Sequence, residues 1–341
     1  MARQRSISGY GVKAPRKRVI YIIIGAAVIG ALGAGLAIVL RGQLHRRGNE
    51  TRELTQIWEE QSYNRAFELS AAQLAENPMD YTALVLYGFS AYQLAVAQIN
   101  NFDTLAYIDD CIWSLRKALL CKEGAAGDPR IYYVLGKAYY YKGGSYADLA
   151  VRYLEAARDG GYAAGDIPEY LGLAYAAIHD YRNSVAAFSL ALNSAGGEEA
   201  GEAPSEPGAA YSLDIVYGQT YAGKPPSDLM LLAIAHSYAA LDEFDAARAY
   251  LVRCLETSKD VSKRIAARLL LGKMLVKTGD FAAAEGQYLA ILEEDGEHAE
   301  AHFQMGELYA AAGDDTRARA GWRRAWRINP GHEGARARLN M

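Results

Sequence analysis

A spacing of 34 residues separates Gly272 from Gly306, and the residues around the two glycines correspond. In the segment Ala299 to Pro330, Met305 and Gly306 are followed by Tyr309, Ala318, Trp322, Ala325 and Pro330. Around Gly272 stand Leu271, Leu275, Ala284 and Tyr288 in the same relation. Two short helices joined by a Gly-Asp turn account for this spacing. The glycine and the following alanine allow two antiparallel helices to approach closely, and the large residues fill the space beside them. Pro330 stops the second helix.

The arrangement continues upstream. Ile234, Ala235, Tyr238, Ala247, Leu251 and Cys254 form a unit from Asp228, with about three extra residues over Ser258 to Lys263. Leu171, Gly172, Tyr175, Phe188 and Ala191 form one from Gly165, and Leu135, Gly136, Tyr139, Tyr153 and Ala156 one from Pro129, with one extra residue at Gly143-Gly144. A longer unit runs from Tyr81 to about Glu123 and includes Gly88, Phe102, Ile112 and Trp113; before it, Tyr63, Ala66, Ser70 and Pro78 close a first unit that starts near Arg47. The turns agree too, since Gly279-Asp280-Phe281 corresponds to Asp242-Glu243-Phe244 and His179-Asp180-Tyr181. Residues 195–227 break the pattern with GGEEAGEAPSEPG and a Tyr-bearing loop, an acidic Gly/Pro-rich insertion without apolar periodicity. The reading is a 41–194 block, the insertion, and a 228–341 block whose last residues form a short cap.

These residues resemble the tetratricopeptide pattern, W-x2-L-G-x2-Y, A-x3-F, A, P, with His302 in place of the first Trp. The resemblance covers residues 47–330. It implies an all-α fold: a right-handed superhelical solenoid of about seven helix-turn-helix repeats, here preceded by one transmembrane helix.

That helix is read from residues 19–40, VIYIIIGAAVIGALGAGLAIVL, which carry no charge and at helical rise cover about 33 Å, enough to span a hydrocarbon core. Residues 1–18 hold six basic side chains and no acidic one, so they are expected to stay in the cytoplasm, with the array in the periplasm or outside. A cleaved signal would have a shorter apolar region, and Arg41-Gly42-Gln43-Leu44 is a poor cleavage context. Ala26, Gly30 and Ala34 have the spacing that permits self-association of membrane helices, and equally that of an ordinary anchor.

Composition narrows the function. With 36 basic against 40 acidic residues and a net charge of −4, the chain lacks the concentrated basic face that nucleic acid requires. The three cysteines have no metal-binding spacing, and Cys111 and Cys121 on one helix would stand about 15 Å apart, too far for a disulfide. No phosphate loop, nucleophile elbow or dinucleotide fingerprint occurs. His298 and His302 share a helix face but lack the H-E-x-x-H order, so no metal, cofactor or catalytic residue is assigned and the chain is not expected to be an enzyme.

The resemblance implies that the leading helices line a concave groove that takes a peptide or helix of another protein. The groove positions are Val85, Phe89 and Tyr92, then Arg130, Tyr133, Lys137, Tyr140 and Tyr141, then Asp166, Glu169 and Leu173. Lys273, Lys277, Phe303 and Glu307 follow in the C-terminal block. Aromatics of this kind serve equally as groove anchors or as packing between helices, and the sequence leaves both open. The Lys-and-two-Asn set with which one branch of the family grips a peptide carboxylate is missing. The expected function is therefore a membrane-anchored extracytoplasmic scaffold that assembles an envelope complex. Anchored arrays of this family include envelope-biogenesis proteins and the periplasmic flagellar collar of spirochaetes; an accessory subunit of a membrane enzyme is a further alternative.

Overall fold

The computed structural model describes residues 53–54, 56–58, 60–98, 101–121, 127–195 and 226–340, without the side chains of 193–195, and no strand occurs among them. The helices are α1 (Tyr63–Glu76), α2 (Tyr81–Ala97), α3 (Asn101–Cys121), α4 (Pro129–Lys142), α5 (Ala147–Asp159), α6 (Ile167–Ala177) and α7 (Tyr181–Ala195). After the insertion come α8 (Asp228–Ala240), α9 (Phe244–Thr257), α10 (Val261–Thr278), α11 (Phe281–Glu294), α12 (Ala299–Ala311), α13 (Asp315–Ile328) and α14 (Glu333–Leu339). The stretch Val19 to Leu40 and the basic tail before it lie outside the described residues. Among the described residues, no helix is long and apolar enough to cross a membrane.

Local sequence sets the helix ends. An acidic or hydroxyl side chain stands before many helices and accepts from a backbone N–H of the first turn: Asp80 from Ala83 at 3.0 Å, Ser227 from Met230 at 3.1 Å, Asp314 from Arg317 at 2.9 Å. The turns aligned from sequence share a left-handed residue. Gly279 (φ +83°) and Gly313 (φ +81°) take this conformation without strain, whereas His179 and Asp242, both at φ +62°, adopt it with a side chain.

Within each pair the helices meet where the repeat puts its small residue. A Cβ on Gly306 would lie 2.5 Å from Trp322 Cδ1, one on Gly272 2.4 Å from Tyr288 Cε1, one on Gly172 2.6 Å from Phe188, and one on Gly88 2.6 Å from Leu115. In the last pair the backbones touch, since a Cβ on Gly321 would meet Gly306 Cα at 2.9 Å. Tyr288 and Phe188 are fully buried, each side chain contributing about 1.5–3 kcal/mol of burial free energy.

The Pro129 unit differs in register from the sequence alignment. A Cβ on Gly136 would lie 2.6 Å from Leu154 Cγ, and Ala150, Leu154 and Ala157 are buried, so the unit carries two extra residues and not one. They are absorbed by a 3-10 turn, Gly144–Tyr146, ahead of α5. Tyr153 is moved out of the helix contact and stacks on Tyr139 at 5.5 Å. The Tyr81 unit is stretched at its trailing helix, where Ile112 is buried while Phe102 and Trp113 are exposed.

The leading helices α2, α4, α6, α8, α10 and α12 pack in succession, each on the one before it, as well as against their trailing neighbours. Successive trailing helices have no comparable contact, so the leading row is the inner side of the curve. The stack continues from α7 to α8 despite the insertion between them: Leu173, Phe188, Ala191, Met230 and Ile234 form one buried cluster. Beside it Ser184 Oγ lies 2.9 Å from Ser237 Oγ and donates to Gly172 O at 2.9 Å.

Two glycines test the helix contact in opposite directions. Gly306→Leu is expected to cost about 1–3 kcal/mol by overpacking against Trp322. Gly286, in α11 with no heavy atom within 4 Å of a built Cβ, should tolerate Gly286→Ala with a gain of about 0.5–1 kcal/mol. Urea denaturation of both variants distinguishes them; equal midpoints would mean that the assigned contact is wrong.

Candidate partner-binding face

On the inner side, α4 and α6 are joined by a buried polar group. Asp128 caps α4 and holds Arg130 in a two-pronged pair, with Nη2 2.6 Å and Nε 3.2 Å from Oδ2, which leaves Arg130 exposed at the helix start. One turn along, Tyr133 is buried and donates its hydroxyl to both oxygens of Asp166, at 2.7 and 2.8 Å. Lys137 lies a further turn along on the same face. Its Nζ donates to Asp166 Oδ2 at 2.7 Å and to Tyr133 Oη at 3.0 Å.

Aromatic rings close around that ammonium. Lys137 Nζ lies 4.4 Å from the centre of Tyr170, 5.0 Å from Tyr133 and 5.7 Å from Tyr92, distances at which the ring faces attract a cation. Both ends of the pair are largely withdrawn from water, with 11% and 15% of the Lys137 and Asp166 side chains exposed. Burial raises the hydroxyl pKa of Tyr133, and the charge of Asp166 raises it further. Burial likewise raises Tyr170 and Tyr92. These phenols stay neutral at physiological pH, and Tyr133 acts as a hydrogen-bond donor to Asp166.

Outside this base is a more accessible rim. Tyr141 is exposed, and its hydroxyl lies 3.0 Å from that of Tyr170; Tyr140 is half-buried and packs edge-on against Tyr170 at 5.3 Å. Glu169 is buried and accepts from Ser227 at 3.0 Å, tying α6 to the start of α8.

The groove positions thus divide by burial. Phe89, Tyr92, Tyr133, Lys137, Glu169 and Leu173 are buried; Val85 and Tyr140 are half-buried; Arg130 and Tyr141 are exposed. In the C-terminal block, exposed Lys273 pairs with Glu300 at 3.2 Å and exposed Lys277 with Asp242 at 2.6 Å. Phe303 packs on the ring of His332 at 4.8 Å, and Glu307 takes both arms of Arg338, so α14 covers the inner face there. Tyr170 was not among the groove positions inferred from sequence. It follows Glu169 by one residue, and only the packing of α6 against α4 brings it to Lys137.

His298 and His302 have structural partners. His298 Nδ1 accepts from Ala301 N at 3.1 Å as a helix cap, and His302 Nε2 lies 3.1 Å from Gly296 O. Among the described residues, no group of three or more His, Cys, Asp or Glu is placed to hold a metal ion.

A solved structure shares this architecture. The chain is similar to the C-terminal part of a TPR repeat-containing protein from Cytophaga hutchinsonii, at 14% identity and a TM-score of 0.50, over 85% of this chain and 100% of that one. A tetratricopeptide repeat protein from Parabacteroides merdae is similar at 14% identity and a TM-score of 0.47, over 86% of this chain and 98% of its own. YrrB, a TPR protein with an unusual peptide-binding site, is similar at 17% identity and a TM-score of 0.37, over 80% and 98%. No family model matches the chain, and no curated protein matches it in sequence. The fold is that of tetratricopeptide-repeat proteins.

The buried base can be dissected by a double-mutant cycle. Lys137→Met leaves Asp166 without its counter-charge and should cost about 3–5 kcal/mol, whereas Lys137→Met with Asp166→Leu should cost markedly less. Additive losses in thermal or urea melts would show that the two side chains do not interact.

Proposed function

We propose that this protein is a scaffold that binds other proteins on the inner face of α2, α4 and α6, and that it works outside the cytoplasm on a membrane anchor formed by Val19 to Leu40. The observation that carries the binding role is the accessible rim of Tyr140, Tyr141 and Arg130 on a buried polar base. A partner segment docking there meets aromatic rings and hydroxyls already held in place by Tyr170 and the Lys137–Asp166 pair, so little side-chain freedom is lost on binding. Rings with polar tips suit a peptide or helix that offers both apolar contact and hydrogen bonds. The C-terminal inner face is less suited, because α14 and the ion pairs of Lys273 and Lys277 occupy it.

The anchor and the six basic residues before it support the extracytoplasmic placement. A membrane-tethered interaction array fits the assembly of an envelope complex, in which it would hold partners close to the bilayer.

Two experiments test this reading. Crosslinking in the native membrane followed by pull-down should recover a partner with the wild-type chain and much less of it with Tyr141→Ala combined with Arg130→Ala, while Arg152→Ala on the exposed side of α5 leaves capture intact. Equal recovery from all three would remove the inner face from the binding role. A reporter fused after Met341 should be active outside the cytoplasm; activity confined to the cytoplasm would defeat the topology.

A further inference from the structure

We propose that the outward face of α3 is where two copies of this chain meet, antiparallel, about a two-fold axis that crosses the helix close to Trp113. Helix α3 is 21 residues long, whereas the trailing helices α5, α9, α11 and α13 have 13 or 14. Along it, residues 102, 106, 109, 113, 116 and 120 are exposed, a spacing of four and three that forms one straight seam. Large apolar residues lie on or beside that seam: Trp113 is 54% exposed, Leu120 75% and Leu105 43%. The exposed sides of α13 and α5 carry charge, with Arg319, Arg323 and Arg327 on the first and Asp148 and Arg152 on the second, and α7, α9 and α11 each expose a single large apolar residue, Leu190, Val252 and Leu289. Within the chain, α3 packs on α2 and α4 through its opposite, buried side.

The charges on this face select the occupant and its direction. The N-terminal half of α3 carries exposed Asp109, whose Oδ1 accepts from Lys142, and the C-terminal half carries exposed Arg116, with Lys117 over the Trp113 ring at 4.8 Å. A parallel pair of such helices would set Asp109 against Asp109 and Arg116 against Arg116. An antiparallel pair sets Asp109 against Arg116 of the second copy and Leu105 against its Leu120. Both pairs centre on the same point, between Ile112 and Trp113, so one two-fold axis satisfies the charges and the apolar residues together. The two Trp113 rings then come together at the axis, where an aromatic residue contributes most to an interface.

This arrangement does not rest on the inner-face binding site or on the membrane segment. A dimer held by residues 19–40 would survive every change on α3.

The test uses the full chain, purified in mild detergent and measured by sedimentation with the detergent density-matched. The wild type should be a dimer. Asp109→Arg alone and Arg116→Asp alone should each weaken self-association by about tenfold or more, because each sets like charges in contact. Mixed in equal amounts, the two variants should form a dimer again, since the introduced arginine then meets the introduced aspartate at one contact and the native Arg116 meets the native Asp109 at the other. Leu120→Glu, at a residue 75% exposed and hence tolerated by the fold, should also dissociate the dimer. Circular dichroism melts confirm that each variant is folded. A monomeric wild type, a dimer unaffected by these substitutions, or a mixture that does not recover would overturn the proposal. So would a monomer that sediments with lipid vesicles, or with another protein, through Trp113.

Discussion

The close contact between the two helices of each repeat is the constraint on which the structure depends. At Gly306 a single added carbon would meet Trp322, and at Gly272 it would meet Tyr288. The large residue is therefore positioned by the absence of a side chain opposite it, which fixes both the separation and the rotation of the pair. Pairs of constant shape stack at a constant offset, and the leading helices come to lie side by side on the inner face. The junction shows a polar version of the same contact. Ser184 takes the place of the alanine that other repeats have there, and its hydroxyl reaches Gly172 O and Ser237.

Much of this architecture was legible in the sequence because the pattern and the contact are one physical fact. A small residue recurs in each unit where backbones approach, 34 positions apart from Gly272 to Gly306, and the turn residues Gly279, Asp242 and His179 mark corresponding left-handed positions. The register of the Pro129 unit was not legible. Tyr153 and Leu154 are adjacent and both large, so nothing in the sequence shows which one faces Gly136. The 3-10 turn at Gly144–Tyr146 decides it, and a run of two glycines and a serine does not reveal how many residues such a turn absorbs.

The inner face was less legible than the fold. Family positions pointed to Tyr133 and Lys137 as residues that face the groove, and in the folded chain they are buried under Tyr92 and Tyr170. What decides their environment is Asp166, 29 residues after Lys137 and 33 after Tyr133. Partners about one repeat apart meet across a helix-helix stack, and their pairing depends on side-chain reach as well as on periodicity. Tyr170 escaped for a related reason, because it sits beside an inward position and meets Tyr140 and Tyr141 only across the α4–α6 packing.

Contacts that reach only to neighbours also explain how the array carries an insertion without losing its continuity. Closing a loop between α7 and α8 becomes only slowly more costly as it lengthens, by about 0.6 kcal/mol per doubling. Joining Leu173 and Phe188 to Met230 and Ile234 buries several large side chains, each contributing about 1.5–3 kcal/mol. Burial outweighs the entropy of the excursion, so the helix stack, not chain continuity, determines where α8 sits. By the same argument, changes at one place propagate only through the packing between repeats. The Lys137–Asp166 base joins α4 to α6, and the exposed seam of α3 belongs to a different helix. Surfaces so separated can acquire different partners independently, which gives a repeat array room to serve as a scaffold.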